Sequence, residues 1–134
     1  MNDADRYERN DSRRRMIVTI TGAFQTDDLL AIIARQRFEN AWGYGVLYDL
    51  RGVIGQPTIA DLAQIMSQAA ARRRGERPHG PVAFLATEPA LYGRLCTYAA
   101  LGRATRLTIE AFRNWNDAQQ WLTVKLKEET AIND

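Results

Sequence analysis

Cysteine occurs once in this 134-residue chain, as Cys96, which excludes an intramolecular disulfide and any multi-cysteine metal site. Histidine also occurs once, as His79, and no catalytic triad can be assembled around it. No stretch approaches the roughly 18–20 apolar residues that a membrane-spanning helix needs. Met1 to Arg15 is polar, unlike a signal peptide, so a cytoplasmic location is expected. Charge of one sign is scarce as well. A net charge of +2 is too small for the field of a dedicated nucleic-acid binder, and no nucleic-acid partner is expected. Gly52 and Gly55 lack the lysine and the spacing of phosphate-cradling loops, so no nucleotide cofactor is implied.

What is present is 46% hydrophobic and 25% charged, the balance of one ordinary folded domain over residues 1–134. Of its 18 basic residues, 16 are arginine. They cluster at Arg13-Arg14-Arg15 and at Arg72-Arg73-Arg74 with Arg77, and both clusters read as solvated surface or helix capping, with contact to an anion or an acidic partner as the alternative.

Four units repeat the same order, an apolar strand followed by an amphipathic helix. The first strand spans Met16 to Thr21 and ends at Gly22; its helix is expected to be capped by Thr26 and to bury Leu30, Ile33, Ala34, Phe38 and Ala41. The second strand, Val46 to Leu50, leads through a loop from Arg51 to Pro57. The helix after it opens on a Thr58–Asp61 capping box, carries Leu62, Ile65, Met66 and Ala69, and stops at Gly75. Val82 to Ala86 is the third strand, and Thr87-Glu88-Pro89 starts the third helix, with Leu91, Leu95, Tyr98 and Gly102 on one face. Leu107 to Phe112 is the fourth, and Asn116 is expected to cap a last helix holding Ala118, Trp121, Leu122 and Leu126. Residues 1–12 form a polar arm, or a short antiparallel strand at Tyr7 to Arg9, and residues 128–134 a frayed tail.

Strands separated by helices predict parallel, right-handed crossovers. Val46–Tyr48 and Val82–Ala86 are apolar at successive positions, as strands covered on both faces are, whereas the first and fourth strands alternate with polar residues. The expected fold is therefore α/β, a mainly parallel sheet of four to five strands with the second and third βα strands central.

Several short stretches carry a resemblance: Thr19-Ile20-Thr21-Gly22, Val46 to Val53 before a capped helix, Pro89-Ala90-Leu91-Tyr92-Gly93, Phe112-Arg113, and Ala118-Gln119-Gln120-Trp121-Leu122. In order and spacing, from about residue 14 to 124, the chain resembles the bacterial STAS-like single-domain proteins, relatives of the anti-sigma-factor antagonists. That resemblance implies a (βα) superhelix and a role in regulated protein–protein contact without catalysis. In the antagonists a serine at the start of the second helix is phosphorylated; Pro57-Thr58-Ile59-Ala60 stands where they have Asp-Ser-Ser-Gly, which leaves Thr58 as the switch-like position. Cys96 stands where relatives usually carry arginine, and Arg94 is the nearest cation.

Ligands of open α/β sheets bind beyond the carboxyl ends of the strands. Asp49, Arg51, Thr58, Thr87 and Glu88 are expected to gather on one such rim, with Tyr92, Arg94 and Arg113 completing the candidate ligand or partner surface. His79, between Pro78 and Gly80, reads as exposed linkage, and Cys96 as an inert thiol. Gly93, Cys96, Ala99 and Ala100 form a small-residue stripe for close helix packing, or leave a gap that Tyr92, Tyr98 and Trp42 would line. Trp42, Tyr44 and Trp115 suit an exposed contact surface. Two functions compete: a module that binds a protein partner or itself as a homodimer, and a carrier or sensor of a small apolar or anionic ligand. An enzyme using Cys96 or Asp49 is the remaining alternative. No metal or cofactor is expected.

Overall fold

The computed structural model describes residues 6–71 and 78–133. They form β1 (Arg6–Asn10), β2 (Arg15–Ala23), α1 (Thr26–Phe38), β3 (Gly45–Ile54), α2 (Ile59–Ala70), β4 (Val82–Leu85), α3 (Pro89–Ala104), β5 (Ile109–Phe112) and α4 (Trp115–Asn133). The five strands lie in chain order in one mixed sheet. β1 is antiparallel to β2, and β2 through β5 are parallel. β3 and β4, the second and third βα strands, sit inside as expected. β2, expected nearer an edge, is interior too because β1 pairs with its outer side, and the edges are β1 and β5.

The β1–β2 turn is closed locally. Asn10 Oδ1 accepts from the Ser12 hydroxyl at 2.9 Å and the Arg13 amide at 3.1 Å, and Arg14 takes a left-handed φ of 53°. Three crossovers of one hand between sequential parallel strands place α1, α2 and α3 on the same face. There they bury Met16, Val18 and Ile20 of β2, Val46, Tyr48 and Leu50 of β3, and Phe84 of β4. The opposite face meets α4 alone, through Leu47, Ala83, Leu85, Ala118 and Leu122, with Trp115 and Trp121 against its edges. Burial of each such aliphatic side chain stabilises the fold by about 1.5–3 kcal/mol.

Two glycines are required by close approach. A Cβ on Gly80 would collide with the backbone carbonyls of Gly43 and Tyr44, and one on Gly52 would come within 2.8 Å of Thr21 Cγ2 at the β2–β3 irregularity. Close helix–sheet packing also occurs at Gly102, whose Cβ would meet Ile109 Cδ1 at 2.7 Å, but not at Gly93, which faces open space.

Several boundaries differ from the sequence expectation. β3 continues through Arg51–Ile54, expected as loop, because β2 pairs with it as far as Ala23↔Ile54. β5 starts at Ile109, two residues late. Gln25 rather than Thr26 is the N-cap of α1, with no side-chain cap bond. Asn114, not Asn116, caps α4, accepting from the Asp117 amide at 3.1 Å, and the α4 backbone stays helical to Asn133 instead of fraying from 128. The expected stop at Gly75 and the Arg72–Arg74 and Arg77 cluster lie outside the described residues.

Candidate functional site

The carboxyl-end rim divides into separate clusters. Asp49, 8% exposed on the α4 face, takes both points of the Arg51 guanidinium, from Nε at 2.9 Å and Nη2 at 2.8 Å, and the Arg51 amide at 3.2 Å. Arg51 also lies over the Trp115 ring, 5.6 Å from its centroid. Burial pushes the Asp49 carboxyl up, but the side-chain and backbone hydrogen bonds from Arg51 outweigh it, and its pKa ends below the ordinary value. Asp49 is an ionised, neutralised carboxylate rather than a base poised near neutral pH.

On the other side of the rim, Arg113 lies 4.2 Å from the Tyr92 ring centroid. A hydrogen bond with Cys96, then burial, raises the Tyr92 phenol pKa. Glu88 caps α3, accepting from the Ala90 amide at 3.1 Å and the Leu91 amide at 2.7 Å. Thr58 caps α2 through the expected box: its hydroxyl accepts from the Asp61 amide at 3.0 Å, and Asp61 accepts from the Thr58 amide at 2.9 Å. Thr87 is exposed and Arg94 half-buried. The structure therefore joins Asp49 to Arg51 and Tyr92 to Arg113, and leaves Thr58 and Glu88 each bonded to its own helix start. Among the described residues no three His, Cys, Asp or Glu side chains group as metal ligands.

The opposite end of the sheet holds a polar network that corrects two expectations. His79, expected in exposed linkage, is 6% exposed, and Trp42, expected on a contact surface, is 5% exposed. His79 Nε2 lies 2.9 Å from Gln36 Oε1, and its Nδ1 2.8 Å from the Gly80 carbonyl. Gln36 Nε2 donates to the Ala41 carbonyl at 2.9 Å and the Trp42 carbonyl at 3.3 Å, which orients the amide oxygen toward the histidine. The Trp42 ring meets His79 edge-on at 4.5 Å, with Arg37 3.8 Å above its other contact surface. The physical cause is the Gly80 close approach: Gly80 lies against the Gly43 and Tyr44 carbonyls and its amide donates to the Trp42 carbonyl at 2.8 Å, which seats the adjoining His79 beside Trp42. Beside it an apolar cavity runs between α1, α2, α3 and the sheet, lined by Ile33, Tyr48, Ile65, His79, Phe84 and Tyr98, with room for about one water molecule. Of the three aromatics expected to line a gap, Tyr98 alone does so; Tyr92 and Trp42 are elsewhere.

A further correction concerns α1. Its core face is Leu29, Ile32, Ile33 and Gln36, so the expected stripe is rotated by about one residue. Leu30, Ala34 and Phe38 are left as a second apolar line at four-residue spacing. Phe38 is 87% exposed, and the line borders a groove that Arg37 and Gln68 of α2 complete. Arg15 likewise departs from the solvated cluster assigned to Arg13–Arg15, for it is 8% exposed.

Sequence reasoning missed Gln36, His79 and Arg15 as buried polar groups. The signal for Gln36 was its place three and four residues after Ile33 and Ile32. For Arg15 it was strand alternation, which puts it on the same face as Ile17. Comparison with protein-family models and with curated proteins returns no match. Among the described residues no helix is long and apolar enough to cross a membrane.

Proposed function

We propose that the chain is a non-enzymatic, cytoplasmic STAS-like regulatory module that acts by binding protein, with the outer line of α1 as its contact surface. The observation that carries this reading is Phe38, 87% exposed at the end of an apolar line of which only Leu30 packs against the core. The charged rim residues support it from another side, since Asp49 is neutralised by Arg51 and Glu88 and Thr58 are engaged as caps. Thr58, the switch-like position, acts in this reading as a helix cap in its unmodified form.

A second copy of this chain is the occupant we favour. α1 carries Asp27 and Asp28 in its first turn and Arg35 and Arg37 in its last, so two copies packed antiparallel about a two-fold axis set acids against bases. Ala31 and Ala34, both exposed, leave room for close approach at the centre. Sedimentation velocity over a concentration series tests this, comparing the wild type with Phe38→Asp. The expected result is a concentration-dependent dimer that Phe38→Asp abolishes without lowering the melting temperature. A wild-type chain that stays monomeric over the whole series overturns it.

The second reading, a carrier or sensor of a small apolar ligand, requires the cavity under Tyr48 and Tyr98, which has room for about one water molecule, to widen on binding. Native mass spectrometry of protein taken directly from cells separates the two, because a sensor retains ligand mass and a contact module does not.

A further inference from the structure

Arg15 enters β2 from the hairpin turn with its side chain on the α4 face, beside Ile17. Its guanidinium donates to Gln119 Oε1 and, at 2.9 Å, to Thr123 Oγ1, both neutral acceptors on α4. Its Nε–H has no acceptor. Arg9, Arg35, Arg51 and Arg103 each meet a carboxylate, but among the described residues none stands within ion-pair distance of Arg15. Burial, and then the like charge of Arg13, depress the Arg15 pKa. A charge this enclosed is strongly disfavoured unless something neutralises it. Two neutral acceptors position the guanidinium without doing so.

A groove opens beside it between the β1–β2 hairpin and α4, lined by Glu8, Asn10, Arg13, Arg15, Ile17 and Gln119. Glu8 is exposed and ion-pairs with neither arginine. We propose that this groove binds a compact oxyanion, a phosphate or a carboxylate, on Arg15, with Gln119 as the group it displaces. The Gln119 amide oxygen now occupies the position at Arg15 Nη1 that an anionic oxygen would take. An anion there gains a charge-assisted bond in place of a neutral one, and the freed Gln119 amide has its own N–H groups to donate. Exposed Arg13 supplies a second positive charge, and Glu8 limits how much negative charge the groove accepts. The site lies on the opposite sheet face from α1, so it stands or falls apart from the contact surface proposed above.

The test is an NMR titration of the full chain with inorganic phosphate and with acetate, each at constant ionic strength set by chloride. The arginine Nε–Hε and glutamine side-chain amide signals are the readout. A saturable shift at Arg15 and Gln119 is expected, weakened several-fold in Arg13→Ala and absent in Arg15→Met. Whether phosphate, acetate or both produce it identifies the oxyanion class. Gln119→Glu supplies the carboxylate from within the chain, so it is expected to fold and to respond to neither anion; it keeps the test intact should Arg15→Met fail to fold. Absence of a saturable shift with both anions, or a wild-type response in Arg15→Met or Gln119→Glu, overturns the proposal.

Discussion

The two faces of the sheet are built on different terms. Under α1, α2 and α3 lies a deep apolar layer in which Tyr48 stacks on Phe84 at 5.3 Å and Phe84 meets Tyr98 at 5.5 Å. Under α4 the buried apolar set is small, and the same face carries Arg15 and Asp49. A five-stranded sheet at about 4.8 Å per strand is more than twice as wide as one helix of about 10 Å. A single helix therefore leaves margins, where Asp49 is ionised against Arg51 and Arg15 is held by neutral acceptors alone. The two proposed binding sites fall where packing is thin, in the groove beside Arg15 and around Phe38 at the exposed end of the outer α1 line.

The largest expected effect tests whether the thick face depends on its hidden corner. Gly80→Ala forces a methyl against the Gly43 and Tyr44 carbonyls, so a loss on the order of 4 kcal/mol, read by urea denaturation, is expected. Next, Leu95→Ala and Leu122→Ala remove one leucine from each face. Both fall within about 2–4 kcal/mol, with Leu95→Ala the larger because Leu95 belongs to the broad three-helix core and Leu122 to the small cluster under α4. Equal or reversed losses would break the comparison. Gln36→Leu removes the side-chain bonds to the Ala41 and Trp42 carbonyls, which still accept from the Tyr44 and Gly80 amides, together with the bond to His79 Nε2, for about 1–3 kcal/mol by the same measurement. Thr58→Ala removes one cap bond and costs about 1 kcal/mol.

The smallest effect sharpens the thin side. The Asp49 carboxyl has a lower pKa folded than unfolded, so its contribution is present above the unfolded value of about 3.9 and is lost as pH falls through the folded value. With Arg51 half-exposed, that contribution stays below about 1 kcal/mol. Asp49→Asn is expected to lower stability at neutral pH by that amount and to flatten this part of the acid-unfolding curve, leaving stability unchanged only below the folded-state pKa.

Much of the architecture was legible in the chain. Unbroken apolar runs at Val46–Tyr48 and Val82–Ala86 mark β3 and β4 as interior, and the Thr58–Asp61 box marks a helix start through local bonds alone. Alternation in Met16/Val18/Ile20 does not mark β2, which β1 makes interior too. The candidate rim was less legible. Asp49 and Arg51 are close in sequence and find each other, but Thr87, Glu88 and Arg94 converge only if the loops turn inward, and here Glu88 turns back onto its own helix. The α1 stripe shows the limit of periodicity: Ile33 belongs to either of two faces, and only contact with Tyr48 and its neighbours selects Leu29, Ile32 and Gln36 over Leu30, Ala34 and Phe38.

Periodicity, caps and turn residues act over a few residues, so the amino-acid order by itself determined which segments are strands and helices and that β3 and β4 are covered on both faces. Tertiary structure alone decided that His79 and Trp42 are enclosed, that Arg15 lies buried without a counter-charge, and that Phe38 faces out. Burial depends on what distant segments bring to each side chain, and no local pattern carries that.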